Sequence, residues 1–520
     1  MTFDLEKQPF TNEAAYDVCV VGAGAVGIVL TVRLLRAGKR VLLVESGGAV
    51  LEEASQQLYR TDVTEQPHTG VHTGRFRTWG GTTTRWGGQI LPLEPIDFAH
   101  REWVPHSGWD VSREELMPFY AEAIQYESLG AIGEDAAVWK ALGMSAPQLG
   151  PDLQPYFTRW LKQPNFAKVH GAEMASSPHL TVLVHANLVD LERADDDAHI
   201  RAAILRSLNG NTARVTANEF VLATGAIETS RLLLHLEEKH GVAWNPNGLV
   251  GRGFQDHVDC DVMDVEPLDR GRFFAAFTNV LLNGYKFHPK FRLSARQQEQ
   301  RRILNVAATM AFHDDTEERG AAVKAIGKRL LYRQWKDVDS TQISALMQNL
   351  PLLLKQTWAY AARHRVYVAP SARITMRVHC EQQPDSESRI TLTDDRDALG
   401  MRRSSLRWVI SKLELATIRT FLQLTGDELI QQGIARLKPR IDLASDDAIR
   451  AHCDDGLHHI GGTRMSADPA KGVVDTNLLL WGTKNLHLCS AGVFPTGGYS
   501  NPTHTALALA LRLGATLAQS

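Results

Sequence analysis

Apolar residues in this chain come in short runs that alternate between two spacings. Tyr16–Val21 (YDVCVV) and Val41–Val44 (VLLV) are continuous and rich in valine, the pattern of strands buried on both faces. Between them, Ile28–Ala37 carries its apolar residues at helical spacing, and Gly38 stands where such a helix would close. The same punctuation returns far downstream: Phe220–Ala226 predicts a buried strand running into a small-residue turn, with a helix from Ile227. Leu180–Glu192 (LTVLVHANLVDLE) alternates and predicts a strand. Between these segments, Pro105–Tyr120 predicts a loop entering a helix, with Ser112 and Glu115 as a capping box. A strand at Asn485–Ser490 and an alanine- and leucine-rich helix over Thr505–Ala518 close the chain.

Residues 266–450 have a different texture. Val280–Leu282, Ile303–Phe312 and Ile374–His379 predict strands of a second sheet, and 319–363 predicts long helical segments. Within the latter, Leu346–Ala361 is strongly apolar but interrupted by Pro351, so packing against a core or another subunit is expected rather than membrane contact.

With 520 residues the chain exceeds one compact core. At 44% hydrophobic, 22% charged and a net charge of −3, it has the composition of a globular protein and no surface suited to nucleic acid. Cys19, Cys260, Cys380, Cys453 and Cys489 are scattered, so neither a disulfide framework nor a metal site is expected. The start, MTFDLEKQPF, lacks the basic and apolar blocks of a signal peptide. No apolar run reaches the roughly 18 residues of a membrane span, and a cytoplasmic location is expected.

The first strand–helix–strand unit carries chemistry. Gly22-Ala23-Gly24-Ala25-Val26-Gly27 is a GxGxxG. Gly22 permits the tight turn, Gly24 lets the backbone approach a pyrophosphate, and Gly27 lets the helix pack on the strand. The helix N-terminus presents N–H groups to the phosphates, and Glu45, closing the second strand, can accept from ribose hydroxyls. This turn leaves FAD and NAD both open, while the Glu45 carboxylate opposes a 2′-phosphate. A second glycine-rich stretch, Trp79–Gly88, predicts a loop whose backbone nears a ligand.

The last 70 or so residues add Leu457–Met465 (LHHIGGTRM), Ala491–Pro495 and Ser500–Ala510 (SNPTHTALALA), the last a loop-to-helix junction offering N–H donors. Val250–His257 reads VGRGFQDH, and Glu381–Asp385 precedes a strand at Arg389–Leu392. Together with GxGxxG, the Gly80–Gly88 loop, HxxGT at His459–Thr463 and NPT at Asn501–Thr503, this ordered set resembles the glucose–methanol–choline (GMC) oxidoreductases. The pyranose oxidase and glucoside 3-dehydrogenase branch is the most similar.

The resemblance implies an α/β fold: a discontinuous Rossmann-like FAD-binding domain (1–100, 175–265 and 455–520), a connecting segment (101–174), and an α+β substrate domain with an antiparallel sheet (266–454). It implies FAD as cofactor, bound by Gly22, Gly24, Gly27, Glu45, Gly80, Gly81, Thr82, Thr83, Trp86, Gly87, Leu188, Ala223, Gly492, Val493 and Thr503. Covalently flavinylated relatives carry a histidine where this chain has Arg85, so noncovalent binding is expected. His459 is expected as the base that takes the hydroxyl proton of an alcohol, with Asn501 holding the same oxygen. Adjacent residues point to different sides, so one of His458 and His459 faces the flavin; the motif selects His459, leaving His458 and His504 to packing. Asp256–His257 is read as a structural polar pair.

The expected reaction is oxidation of a secondary alcohol of a sugar or glycoside to a ketone. The alternative is a sterol or other non-sugar alcohol. Oxygen, a quinone or a redox protein are all open as electron acceptor. A non-catalytic flavin-binding role leaves His459 and Asn501 unused, and an NAD-dependent dehydrogenase leaves the C-terminal motifs without a role.

Overall fold

The computed structural model describes residues 1–12, 15–129, 135–194, 198–241, 244–316 and 340–519. Its first sheet grows from the two valine-rich runs. Tyr16–Val21 lies parallel to Val41–Val44 on one side and to Thr212–Leu222 on the other. Leu180–Val184 and then Thr2–Asp4 extend the parallel order beyond Val41–Val44. Leu486–Leu488 adds to the far end of Thr212–Leu222, so the C-terminal motif is carried into the same sheet. Helix Ala25–Arg36 packs against this sheet and against the closing helix Thr503–Gln519. Both strands of the opening unit are buried along Val18–Val21 and Val41–Val44, as continuous apolar runs require.

The predicted strand over Leu180–Glu192 is two strands. His185 sits at φ 53, with its ring between Asp4 Oδ1 at 2.8 Å and Glu52 Oε2 at 2.9 Å. The left-handed residue turns the chain out of the parallel array, and Asn187–Arg193 pairs antiparallel with Ile200–Arg206. The alternation of apolar residues continues across the break, which is why it reads as one element.

The second sheet is antiparallel, in the order Ala435–Pro439, Val258–Pro267, Arg373–Cys380, Val306–His313, Tyr285–Leu293, Leu153–Trp160, Gln89–Ile90. Arg389–Arg396, Arg402–Trp408 and Thr61–Glu65 form a smaller third sheet. These pairings cross the segment boundaries expected from sequence. Gln89–Ile90 and Val258–Pro267 join the second sheet rather than the first, as does Leu153–Trp160 from the expected connecting segment. Strand pairing between residues far apart in sequence leaves no local composition shift to mark it.

Of the predicted helical region 319–363, residues 319–339 lie outside the described part, and Ser340–Arg363 is one helix that continues through Pro351. It buries Leu352 and Ala359 and exposes Met347, Leu354 and Trp358. No described helix is long and apolar enough to cross a membrane.

Candidate active site

At the carboxyl ends of the parallel strands a cavity of about 530 Å³ opens between the two large sheets. Its walls run from Gly22, Gly24 and Glu45 to His458, His459 and Asn501, which is where ligands enter open α/β sheets. Each end is built by a different local device.

At the first end, Gly22 sits at φ 107, and a Cβ there would lie 2.6 Å from Ala223 O. Gly24 opens helix Ala25–Arg36 without any side-chain cap, leaving the first N–H groups of the helix free for an anion. A Cβ on Gly24 would meet nothing within 4 Å, so this face of the turn is open. Glu45 is buried, accepting from Ala23 N–H at 3.0 Å and Gly47 N–H at 2.9 Å. Burial raises its carboxyl above the usual range, against those bonds and the Arg77 charge. Two buried guanidinium nitrogens, Nη1 of Arg75 and of Arg77, are without hydrogen-bond partners, and both residues line the cavity. An uncapped helix terminus, an open glycine face, a buried acid and two buried guanidinium groups, that of Arg77 ion-paired with Glu228 at 3.5 Å, fit a dinucleotide such as FAD.

At the other end, Asn501 stands just before helix Thr503–Gln519. Its Nδ2 lies 2.7 Å from His458 Nε2, and His458 Nδ1 lies 2.9 Å from His257 Nδ1. The amide nitrogen only donates, so Nε2 of His458 accepts and its proton resides on Nδ1. His257 Nδ1 then accepts that proton, and His257 carries its own on Nε2. Burial holds both imidazoles below their ordinary range, so His458 presents a neutral Nε2 lone pair to Asn501.

The structure sets His458, and not the expected His459, beside Asn501. Consecutive left-handed glycines, Gly461 at φ 71 and Gly462 at φ 87, pack the turn against Gly253 O and Ser230. Asp256 Oδ1 accepts the backbone N–H groups of His257, His458 and Gly456. The backbone is thereby fixed with His458 toward Asn501. His459 Nε2 turns instead toward Asp256 Oδ2, 4.0 Å away. Both histidines touch the cavity wall. Asp256 and His257 are not a side-chain pair: the carboxylate holds the 456–458 backbone and the imidazole orients His458.

The structure brings Gly22, Gly24, Glu45, Gly81, Thr82, Thr83, Trp86, Gly87, Leu188, Ala223 and Thr503 to the cavity wall. Gly27, Gly80, Gly492 and Val493 are not on it. Gly27 instead packs helix on strand, its absent Cβ facing Gly22 O. The backbone carbonyls of Gly492 and Val493 accept from Thr463 and Met465, so they brace the 458–465 turn. His504 is buried, paired with Glu127 at 2.9 Å and stacked on Tyr120. Sequence reasoning missed Tyr59, Arg75 and Arg77, whose guanidinium groups lie over the Tyr59 ring at 4.4 and 4.5 Å; nothing in their spacing marks them.

Beside the His458–Asn501 pair the wall is polar. Gln89 lines the cavity and donates to Thr158 Oγ1 at 2.6 Å. It also lies 3.5 Å from His288 Nδ1 and from Lys290 Nζ.

Residues 384–510 match the family model described as GMC oxidoreductase. Over nearly the full length the chain is 23% identical to the fructose dehydrogenase large subunit of Gluconobacter japonicus, covering 95% of this chain and 96% of that one. It is 24% identical to 6'''-hydroxyparomomycin C oxidase of Streptomyces lividus, with 98% and 93% covered. The fold is similar to that of pyridoxine 4-oxidase from Mesorbium loti, with a TM-score of 0.56, 17% identity, and 96% and 99% of the two chains covered. The chain thus carries a match to the GMC oxidoreductase family model over residues 384–510 and is an FAD-type oxidoreductase acting on CH–OH groups.

Proposed function

We propose that the chain oxidises a secondary hydroxyl of a sugar or glycoside to the ketone, with His458 rather than His459 as the base. The observation that carries this is the His458–Asn501 pair, 2.7 Å apart, on a cavity wall that also carries Gln89, whose amide meets Thr158, His288 and Lys290. A substrate hydroxyl entering between the pair donates to His458 Nε2 and accepts from Asn501 Nδ2. The proton then moves to Nε2, while His257 holds the ring orientation through Nδ1. Bound FAD supplies the acceptor for the hydride from the alcohol carbon. The first sheet holds the cofactor and the second supplies the substrate wall. Gln89 and its partners offer donors and acceptors to a polyol, whereas a sterol would strip them of water without replacing it. The likeness to a fructose dehydrogenase and to 6'''-hydroxyparomomycin C oxidase supports a sugar or glycoside hydroxyl as the substrate class. FAD is held without a covalent bond, because Arg85 stands on the wall where flavinylated relatives carry histidine; acid precipitation should release the yellow colour into solution.

The test is anaerobic bleaching of the flavin across sugars, glycosides and sterols, with product regiochemistry. Bleaching by sterols alone sinks the substrate class. His458→Ala should slow bleaching by ~10²–10⁴-fold, the usual worth of a general base. A loss of that size in His459→Ala, with His458→Ala unimpaired, returns the base to His459.

A further inference from the structure

A second cluster lies behind the catalytic pair, and the proposed reaction does not use it. His68, Asp256 and His459 come from segments far apart in sequence, yet each places one ligand atom within 4.8 Å of the other two. His68 Nε2 is 3.1 Å from Asp256 Oδ2, and His459 Nε2 is 4.0 Å from the same oxygen. The side chains of His68 and Asp256 are fully buried, and that of His459 is 10% exposed.

These atoms are orphans. Asp256 Oδ2, His68 Nε2 and His459 Nε2 have no hydrogen-bond partner, although the first two are within hydrogen-bond range. The rings are therefore not aligned to donate to the carboxylate. Burying polar atoms without partners is costly, so three converging on one point call for an occupant. The surroundings fit a cation better than a chance void. Asp256 Oδ1 is saturated by three backbone N–H groups, which fixes the carboxylate and leaves only Oδ2 to bind. On the far side of His68, Nδ1 lies 3.9 Å from Asp455 Oδ2, an ion-pair separation rather than a hydrogen bond. Asp455 is itself held by Thr69 and Gly70 N–H groups. Trp408 and Phe254 enclose the His68 ring at 4.8 and 5.8 Å, excluding water. Arg75 opposes a cation through its charge, which reaches His459, but its Nε and Nη2 are tied away to Val71, Tyr59 and Thr61.

We infer that His68, Asp256 and His459 form a binding site for one divalent transition-metal ion of the zinc class. Two imidazoles and one carboxylate are a donor set for Zn²⁺ or Fe²⁺ rather than for Ca²⁺ or Mg²⁺. A small contraction brings the three atoms, now within 4.8 Å of one another, to coordination distance. The ion would cross-link the 68–73 turn, the 250–257 segment and the 456–462 turn. Its effect on chemistry is indirect, since Asp256 is also the anchor of the His458 backbone. The site reverses the sequence expectation of no metal, because ligands this far apart leave no spacing motif. It stands independently of the substrate proposed above.

The holoenzyme, produced in zinc-supplemented medium and dialysed, should retain about one Zn²⁺ per chain by elemental mass spectrometry. Stripping with EDTA should lower the thermal midpoint, and added ZnCl₂ should restore it. His68→Gln should lose both the bound zinc and the response. If His68→Gln does not fold, X-ray absorption at the zinc edge of the wild-type protein reads the site directly: two imidazoles and an oxygen donor support it. The inference is overturned by wild-type protein holding under about a tenth of an equivalent of any divalent metal, by equal zinc in His68→Gln, or by sulfur ligation at the edge.

Discussion

Two glycines of one turn should separate folding from cofactor binding. A Cβ on Gly27 would lie 1.8 Å from Gly22 O and 3.0 Å from Gly22 C. Both are backbone atoms, so no side chain can swing aside, and helix Ala25–Arg36 must lift by more than about 1 Å from the strand. Overpacking of this kind costs roughly 1–3 kcal/mol, here at the top of the range, or a fall of roughly 6–12 °C at the 2–4 °C per kcal/mol of a domain this size. Gly24 is the opposite case. Its φ of −78 and ψ of −170 are open to any residue, and its Cβ would meet nothing within 4 Å. Gly24→Ala should leave the apoprotein unharmed, or firmer by about 0.4–1 kcal/mol through the unfolded chain. The open space is where the pyrophosphate must approach. One lost charge-assisted bond there costs about 1.5–3 kcal/mol, roughly 10- to 150-fold in the Kd for FAD. Thermal unfolding of apoprotein and flavin titration of each variant check this together. Wild-type FAD affinity in Gly24→Ala, or a melting loss in its apoprotein matching that of Gly27→Ala, would refute the placement of the phosphates on this turn.

Other perturbations follow from buried charges. Lys290 is 8% exposed, and burial pushes its ammonium down from 10.5 to about 8, against the attraction of Asp259. The native state thus disfavours the charged form, destabilising the fold below pH 8 by up to about 3 kcal/mol and releasing that cost as pH rises from 8 to 10.5. Lys290→Met should therefore gain stability in urea at pH 7 and lose the advantage near pH 10; a gain equal at both would refute the assignment. Arg101 donates through both terminal nitrogens to Glu381 at 2.6 Å. Arg101→Met leaves a buried carboxylate unpaired and should cost about 3–5 kcal/mol, while Arg101→Met with Glu381→Met should recover most of it. Denaturant titration reads both, and a single variant within 1 kcal/mol of wild type, by the usual ±0.5 kcal/mol scatter of surface changes, would contradict the pairing.

What was legible in the sequence was local. Tyr16–Val21, the GxGxxG turn, the following helix and Glu45 all fall where their residue types place them, because each is decided by neighbours a few positions away. Ser112 caps Glu115 N–H at 3.1 Å as its spacing predicts. What failed was long-range pairing. Val258–Pro267 and Leu153–Trp160 carry ordinary strand patterns, and nothing in those patterns says which sheet they join. His185 hid a break because the alternation resumed after it. Arg75 and Arg77 acquire meaning only when Tyr59 and the cavity are brought beside them.

That His458 rather than His459 lies beside Asn501 has the same cause at the scale of one residue. Strand-like alternation says correctly that the two rings diverge. Which of them meets Asn501 depends on the rotation of the backbone about them, and a motif counted back from Thr463 carries no information on that rotation. Three constraints set it, all from elsewhere in the chain. The carboxylate of Asp256 takes the His458 N–H at 2.8 Å. The glycine turn at 461–462 closes against Gly253, where a Cβ on Gly461 would stand 2.2 Å from the carbonyl oxygen. The Gly492 and Val493 carbonyls hold Thr463 and Met465. Gly492 and Val493 hold the turn, and Asp256 with His257 sets His458 beside Asn501.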